Sequence, residues 1–220
     1  MGRRNLILDS NSPYHVTARS NNKDWFSIPL NECWNIFEDE LVKTTEKYRI
    51  HVHAFVLMAN HFHLLVSTPS ENLGKAMRYF MTETSRRIAR KCGRINHIYG
   101  ARYKWSWLAG NYELAYTYKY VLRNPVKAGI CDRVEDYRFS TLYQLHSHII
   151  GIPISERLEW NFLPKTLEDR LNWLNTKTNK EERLISFALR RTKFSFSQDK
   201  KVQLKLKLLE KTYLPDSIQG

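Results

Sequence analysis

The chain has 220 residues, of which 42% are hydrophobic and 13% aromatic, so it can build one sizeable core with an appendage or two small domains. No apolar run is long enough for a bilayer span or a signal peptide, and the three cysteines are too scattered for a disulfide framework, so we expect no membrane partner and a cytoplasmic location. The net charge of +13 favours a polyanionic partner, with nucleic acid as the first candidate.

The first two predicted elements are a strand and a helix. Residues 13–20 alternate between apolar and more polar side chains, which predicts a strand with His15 and Arg19 on a face open to solvent or ligand. Over residues 29–48 the apolar residues recur at helical spacing after Pro29, which suits the first turn of a helix. We expect this helix to pack on the sheet.

Residues 50–67 are predicted to form two antiparallel strands joined by a tight turn. Side chains two apart on a strand point the same way, so the imidazoles of His61 and His63 are expected on one face of the sheet. Two neutral imidazoles at that spacing can share a divalent cation if a third group arrives from elsewhere in the fold. His51 and His53 have the same spacing, so spacing alone does not choose between the two pairs.

A second helix is predicted to begin after a cap at Ser70 or Asn72 and to end before Gly93. Its last turns are basic and include Arg86 and Arg87. Such a run is usually a solvated face, and in a basic chain it is also a candidate for phosphate contact.

Residues 97–109 are predicted to form another strand, in which aromatic side chains mix with Arg102 and Lys104. Aromatic rings beside cations can stack bases and hold phosphates. Aromatic-rich strands are also ordinary in a protein core, so both interpretations stay open.

A third helix is predicted over residues 111–123, with its end at the Asn124-Pro125 step. A tyrosine recurs every four residues along one face, the last of them is Tyr120, and Asn124 continues the row. One interpretation is a tyrosine stripe that packs on the sheet with wet hydroxyl groups. The other is that one phenol is a nucleophile and that Asn124 gives an oxygen to a cation held by the imidazole pair.

Four segments in their order along the chain resemble the single-tyrosine HUH transposases of the IS200-like superfamily, and most closely the REP-associated tyrosine transposases. The resemblance covers roughly residues 12–145. The segments are Tyr14-His15-Val16-Thr17-Ala18-Arg19, Leu57-Met58-Ala59-Asn60-His61-Phe62-His63-Leu64-Leu65, Arg102-Tyr103-Lys104 and Tyr120-Val121-Leu122-Arg123-Asn124-Pro125-Val126-Lys127-Ala128-Gly129. The chain departs from the family at Ala59, where the family more often has proline, which is expected to loosen the turn slightly.

The resemblance implies an α+β fold with a ferredoxin-like or RRM-like antiparallel sheet and helices packed on it. The periodicity agrees, since it predicts the order strand, helix, strand, strand, helix, strand, helix. We expect a catalytic domain over residues 1–150 and a C-terminal, mainly helical extension over residues 151–220. In that extension Thr166 and Asn179 are expected to start two helices. The alternation from residue 202 to residue 208 favours a strand, whereas the resemblance favours a helix.

The resemblance also assigns roles to residues. It implies that Tyr120 is the nucleophile and that His61, His63 and Asn124 hold the divalent metal ion, which decides between the two histidine pairs. Imidazole nitrogens with an amide oxygen suit Mn²⁺, and Mg²⁺ is expected to bind more weakly. The residues expected to hold the DNA strand are His15, Arg19, Arg86, Arg87, Arg102 and Lys104.

The implied function is metal-dependent cleavage and strand transfer of single-stranded DNA at REP-like hairpins, through a 5′-phosphotyrosine intermediate, in a nucleoid-associated protein. Two alternatives are a domesticated protein that binds hairpin DNA without turnover and a replication-type nickase. The short chain and the single plausible tyrosine argue against the nickase. The sequence leaves open whether the protein works as a homodimer.

Overall fold

The computed structural model describes residues 5–155, 163–176 and 179–195. Its elements follow the predicted order strand, helix, strand, strand, helix, strand, helix, and three further helices come after them. They are β1 (Tyr14–Arg19), α1 (Leu30–Tyr48), β2 (His51–Leu57), β3 (His61–Ser67), α2 (Leu73–Cys92), β4 (Lys104–Trp107), α3 (Asn111–Lys127), α4 (Thr141–His146), α5 (Leu167–Asn175) and α6 (Asn179–Ala188). Among the described residues, no helix has the length and apolar character needed to cross a bilayer.

The four strands form one antiparallel sheet in the order β2-β3-β1-β4, which confirms the predicted α+β class. Helices α1 and α2 cover one face, where Phe37 and Phe80 pack against Phe62 of β3. Helix α3 covers the other face, where Val121 belongs to the same cluster of buried side chains as Leu65 of β3. The sheet therefore lies between two apolar layers, with β3 and β1 in its centre.

Strand register decides which side chains share a face with the imidazole pair. In the ladder between β1 and β3, Thr17 pairs with His63 and Arg19 pairs with His61. Thr17 also pairs with Lys104 of β4. Directly paired residues project to the same side of an antiparallel sheet, so Arg19 and Lys104 lie on the imidazole face, opposite α1 and α2.

A β-bulge in β2 lies at His53, within one of the two histidine pairs of the hairpin. The register moves from Val52 opposite Val66 to Ala54 opposite Leu65, so His53 is the extra residue in β2. Its Nδ1 lies 2.6 Å from the Ser155 carbonyl oxygen and its Nε2 lies 2.7 Å from the Ser67 hydroxyl oxygen. Both ring nitrogens of His53 are therefore engaged in structural hydrogen bonds.

Helix α3 continues through Pro125 to Lys127, so the predicted end at the Asn124-Pro125 step is wrong. Proline has no N–H for the carbonyl four residues earlier, and this loss normally weakens a helix. The carbonyl that Pro125 leaves without a backbone donor is that of Val121, and the side-chain Nδ2 of Asn124 lies 3.4 Å from its oxygen as well as 2.7 Å from the Tyr120 carbonyl oxygen. The interruption is thus bridged by a side chain, which the propensity of proline does not reveal.

The strand predicted over residues 97–109 is shorter than expected, since β4 covers only Lys104–Trp107. Earlier in the segment, the Gly100 N–H donates to the Arg19 carbonyl at 3.1 Å and only an isolated bridge joins Tyr99 to Ser20. A Cβ atom on Gly100 would lie 3.3 Å from the Ser20 carbonyl oxygen, so glycine permits this close crossing. The chain leaves the ladder there and rejoins it at Lys104.

The described part of the C-terminal region packs on α3. As predicted, Thr166 begins a helix, and its hydroxyl oxygen accepts a hydrogen bond from the Asp169 N–H at 3.1 Å. Helix α6 begins at Asn179, also as predicted, and Leu174 and Ile185 join the buried cluster under α3. The boundary between residues 150 and 151 stays a prediction, and the alternating stretch 202–208 lies outside the described residues.

Candidate active site

Strand β3 presents His61 and His63 on the face of the sheet that α3 covers. His63 is only 6% exposed, while His61 is half-buried. Their ring centroids are 5.1 Å apart and the ring planes are nearly perpendicular, at 81°. The period of the strand therefore brings the two imidazoles together as the sequence predicts.

Hydrogen bonds fix the orientation of His61 through Asn60. The Asn60 Nδ2 donates to the Lys23 carbonyl oxygen at 2.8 Å, and a carbonyl oxygen can only accept. The Asn60 Oδ1 must then face the His61 Nδ1, which lies 2.7 Å away and has to carry the proton. In the neutral ring this leaves the His61 Nε2 with a free lone pair, which is the form that binds a metal ion.

His63 contacts a third imidazole, that of His15 on β1. The His63 Nδ1 lies 2.9 Å from the His15 Nε2, and the two rings stack with centroids 5.1 Å apart and an interplanar angle of 21°. His15 is 3% exposed, so the predicted open face of β1 is open at Arg19 and closed at His15. The rings of His63 on β3 and Tyr120 on α3 both pack against the His15 ring.

Tyr120 reaches the same cluster from α3. Its ring meets that of His63 edge to face with centroids 5.7 Å apart and that of His15 at 6.2 Å. The Lys127 ammonium lies 5.4 Å from the Tyr120 ring centroid. Of the tyrosine row, Tyr116 is buried in the apolar cluster, as the packing interpretation predicts. Tyr120 is half-buried, and it packs both against that cluster and beside the imidazoles.

The Asn124 amide has a defined orientation as well. Its Nδ2 donates to the carbonyl groups of Tyr120 and Val121, which only accept, so the assignment of nitrogen and oxygen is unambiguous. The Oδ1 is therefore the end of the amide turned away from those carbonyl groups. An amide oxygen in that position can serve as a metal ligand.

The three imidazoles are neutral at physiological pH. Burial lowers the pKa of His15 to about 3, and burial together with the Arg19 charge lowers the pKa of His61 to about 4. Burial also holds the pKa of His63 well below 6.5, and the nearby charges of Arg19 and Lys127 add to the effect. Neutral imidazoles keep the lone pairs that a cation needs.

The Tyr120 phenol is protonated in this conformation. Burial raises its pKa above 10.0, and a hydrogen bond with the Ser186 side chain of α6 opposes the rise. Among more distant charges, that of Glu182 raises the pKa, while those of Arg190 and Arg19 lower it. Helix α6 therefore contributes to the surroundings of the phenol, which the sequence did not indicate.

The types of donor atom present are those that bind divalent cations. In the part of the chain that the structure describes, no three His, Cys, Asp or Glu side chains form a metal-binding group, so a third ligand from these residues would be of another type. The candidate donors are the Nε2 atoms of His61 and His63 and the Oδ1 of Asn124. This mixed set of imidazole nitrogens and an amide oxygen suits a first-row divalent metal.

The residues predicted to hold DNA fall into three groups. Arg19 and Lys104 are exposed on the imidazole face, and Arg102 is exposed in the segment that leads into β4. Arg86 and Arg87 lie on α2, across the sheet from the imidazoles. His15 is buried within the site.

The arginines of α2 are engaged in ion pairs. Arg86 lies 2.8 Å from Glu83, and Arg87 lies 2.9 Å from Asp39 and 2.8 Å from Glu40. Their position places them out of reach of a phosphate at the imidazoles. A contact with another part of a DNA molecule stays a prediction.

Asn60 and Lys127 are site residues to which the sequence analysis gives no role. Asn60 stands immediately before His61, so the motif contained it without indicating that it orients the ring. Lys127 follows Tyr120 by seven residues, which is two helical turns along one face. If the predicted helix had continued through Pro125, this spacing would have placed Lys127 on the same face as Tyr120.

Comparisons with known proteins indicate the family and the fold to which this chain is similar. The family model described as "Transposase IS200 like" matches residues 10–124, which is more than half of the chain. A protein of Haemophilus influenzae described as a candidate REP-associated tyrosine transposase is 23% identical over 142 residues, covering 60% of this chain and 78% of that protein. A solved structure of a REP-associated tyrosine transposase bound to a REP hairpin has a TM-score of 0.57 at 17% identity and covers 72% of this chain and 93% of that chain. At that identity the solved structure shows the likeness of fold.

Proposed function

This chain belongs to the family of IS200-like transposases, and on that premise we propose that it cuts and rejoins single-stranded DNA at hairpin elements with Tyr120 as the nucleophile. Residues 1–150 would form the catalytic domain and residues 151–220 a C-terminal extension. The proposed hairpin partner follows from the similarity to a protein whose solved structure holds a REP hairpin. A nucleoid-associated location would follow from that partner.

One observation carries the proposal. The ring of Tyr120, on α3, lies with its centroid 5.7 Å from that of His63, on β3, although the two residues are far apart in sequence. The Asn124 amide follows one helical turn later, with its oxygen turned away from the helix carbonyl groups. A packing stripe requires neither arrangement.

The chemistry is a transesterification. The Tyr120 oxygen attacks the phosphorus, a tyrosyl O–P bond forms, and the P–O3′ bond breaks. The phenol proton passes to solvent, and the departing 3′ oxygen takes up a proton to become a free 3′-OH. Because the product retains one phosphodiester, attack by a 3′-OH reverses the step without an external energy source.

The metal ligands would be His61, His63 and Asn124, in a family that uses divalent metal ions. A bound Mn²⁺ or Mg²⁺ supplies positive charge that polarises the phosphoryl group and stabilises its oxygens in the transition state. The nitrogen ligands favour Mn²⁺. Arg19 and Lys104 stand on the same face of the sheet and would hold the phosphates on either side of the cleavage point.

The test is a covalent adduct on a denaturing gel. The whole chain is incubated with Mn²⁺ and a hairpin oligonucleotide that has single-stranded flanks. A label at the 3′ end is expected to move with the protein, and a label at the 5′ end is expected to appear in a free, shorter strand. This polarity distinguishes a 5′-phosphotyrosine from the opposite linkage.

Two variants complete the experiment. Tyr120→Phe is expected to abolish the adduct, while Tyr112→Phe, which removes a phenol from the same helix face, is expected to retain it. Hairpin binding without an adduct at any metal concentration would contradict the proposed catalysis. It would indicate a domesticated hairpin-binding protein instead.

A further inference from the structure

We propose that His15 is a positioning residue of the metal site: it accepts the Nδ1 proton of His63 and thereby keeps the His63 Nε2 lone pair free for the cation. This inference rests on the proposed metal site and adds a residue that contacts neither metal nor DNA. It replaces the predicted role of His15 as a DNA-binding residue.

Strand register explains how His15 reaches His63. Thr17 is the direct partner of His63, and His15 stands two residues earlier on β1, opposite Leu65. His15 and His63 are therefore diagonal neighbours on one face, a separation that aromatic side chains can span. The result is an Nε2 to Nδ1 distance of 2.9 Å between two rings that are 3% and 6% exposed.

The contact between the two imidazoles must contain one hydrogen. A neutral imidazole has one N–H donor and one acceptor nitrogen, so either His15 donates to His63 or His63 donates to His15. If His15 donates, the proton of His63 sits on Nε2 and blocks ligation there. Only the second arrangement, in which His63 donates from Nδ1, is compatible with a metal ion on Nε2.

The neighbouring ligand uses the same arrangement with a different partner. Asn60 accepts the Nδ1 proton of His61 through its amide oxygen, and its own orientation is fixed by the Lys23 carbonyl. His15 does for His63 what Asn60 does for His61. Each of the two candidate imidazole ligands would therefore have one acceptor for its Nδ1 proton.

A second observation concerns the other nitrogen of His15. If its Nε2 accepts, its proton sits on Nδ1 and requires an acceptor. Ser106 is the direct partner of His15 on β4, and its hydroxyl oxygen is buried without a hydrogen-bond partner among the described residues. That hydroxyl lies on the same face of the sheet as His15 but makes no hydrogen bond to it in this structure, so a side-chain rotation would be needed for it to accept the His15 Nδ1 proton.

The experiment measures Mn²⁺ binding to the whole chain without DNA. Free Mn²⁺ is followed by electron paramagnetic resonance during a titration of wild type, His15→Phe and His15→Gln. Phenylalanine keeps a ring against Tyr120 and removes the acceptor, whereas the Gln amide oxygen can occupy nearly the position of the His15 Nε2. We expect His15→Phe to weaken Mn²⁺ binding roughly 10- to 100-fold and His15→Gln to restore most of the loss.

Matched controls separate positioning from packing. His53→Phe removes another buried histidine from the same face, and its two hydrogen bonds lie outside the site, so it is expected to keep wild-type Mn²⁺ affinity. Hairpin binding in EDTA is expected to be unchanged in His15→Phe. Long-range ¹⁵N NMR of the metal-free wild type needs no substitution and is expected to show the His63 proton on Nδ1.

The outcomes distinguish the two proposals. Wild-type affinity in His15→Phe, an equal loss in His15→Phe and His15→Gln, or an Nε2 proton on His63 would each overturn the role of His15. The proposed metal site would survive those results if His61→Ala still abolished Mn²⁺ binding. Unchanged binding in His61→Ala would overturn both.

Discussion

Replacing Glu182 with alanine is expected to destabilise the protein strongly, because the change leaves the buried guanidinium of Arg123 without its carboxylate partner. The Arg123 Nε lies 2.7 Å from the Glu182 Oε1, and the two side chains are only 5% and 6% exposed. Arg123 belongs to α3, the helix that also carries Tyr120, and Glu182 belongs to α6, so the ion pair joins these two helices.

The magnitude follows from the burial of the pair. Removing one partner of a buried pair costs about 3–5 kcal/mol, because the other charge stays behind without compensation. Arg123 keeps one hydrogen bond in the variant, from its Nη1 to the Leu174 carbonyl at 2.8 Å, so we expect the lower end, about 3 kcal/mol. The double variant Arg123→Met with Glu182→Leu is expected to lie close to wild type, since it buries no lone charge.

The assay is guanidinium unfolding followed by circular dichroism. Glu83→Ala is the control, because it breaks a partly exposed ion pair with Arg86 and is expected to cost at most about 1 kcal/mol. If Glu182→Ala loses no more free energy of unfolding than Glu83→Ala, then water reaches the Arg123 charge and the reasoning is refuted.

Three further predictions concern pH, the end of α3 and the start of α5. The pKa values of His15 and His61 lie at about 3 and about 4 in the folded protein, so below pH 6.5 the unfolded chain binds more protons and the free energy of unfolding decreases as the pH is lowered. Each residue is expected to lower it by about 2 kcal/mol at pH 5, and equal free energies of unfolding in EDTA at pH 7.5 and pH 5 would contradict this. Asn124→Ala is expected to cost about 1 kcal/mol and to weaken Mn²⁺ binding in a titration, and unchanged binding would remove it from the ligand set. Thr166→Ala is expected to cost about 1 kcal/mol in thermal unfolding while Thr166→Asp stays near wild type, and equal losses would argue against the cap.

Local periodicity is sufficient to predict the strand of the imidazole pair. Side chains alternate along a strand whichever strand it pairs with, so His61 and His63 were predicted to lie on one face, and the structure places them there. The same pattern made His51 and His53 equally good candidates for metal ligands, and only the family resemblance favoured His61 and His63. The bulge at His53 is a property of the β2–β3 ladder and leaves no trace in the alternation of β2 alone.

The second layer of the site depends on contacts between elements, which local patterns do not show. The sequence predicts a face of β1 open to ligand, and the structure buries His15 against His63 because β1 pairs with β3 in one particular register. Asn60 stands in the motif, but its role requires the Lys23 carbonyl, which a separate loop provides. Propensity likewise ends α3 at Pro125, because it does not count a side-chain donor.

The amide of Asn124 limits any redesign of the metal preference. Exchange for aspartate is the obvious way to attract a harder ion such as Mg²⁺, since a carboxylate adds a charged oxygen. An aspartate side chain has no N–H, however, so the Val121 carbonyl group, which Pro125 leaves without a backbone donor, would lose its side-chain donor as well. A paired substitution that also gives position 125 a backbone N–H would keep the last helical turn wound while the chemistry of the ligand changes.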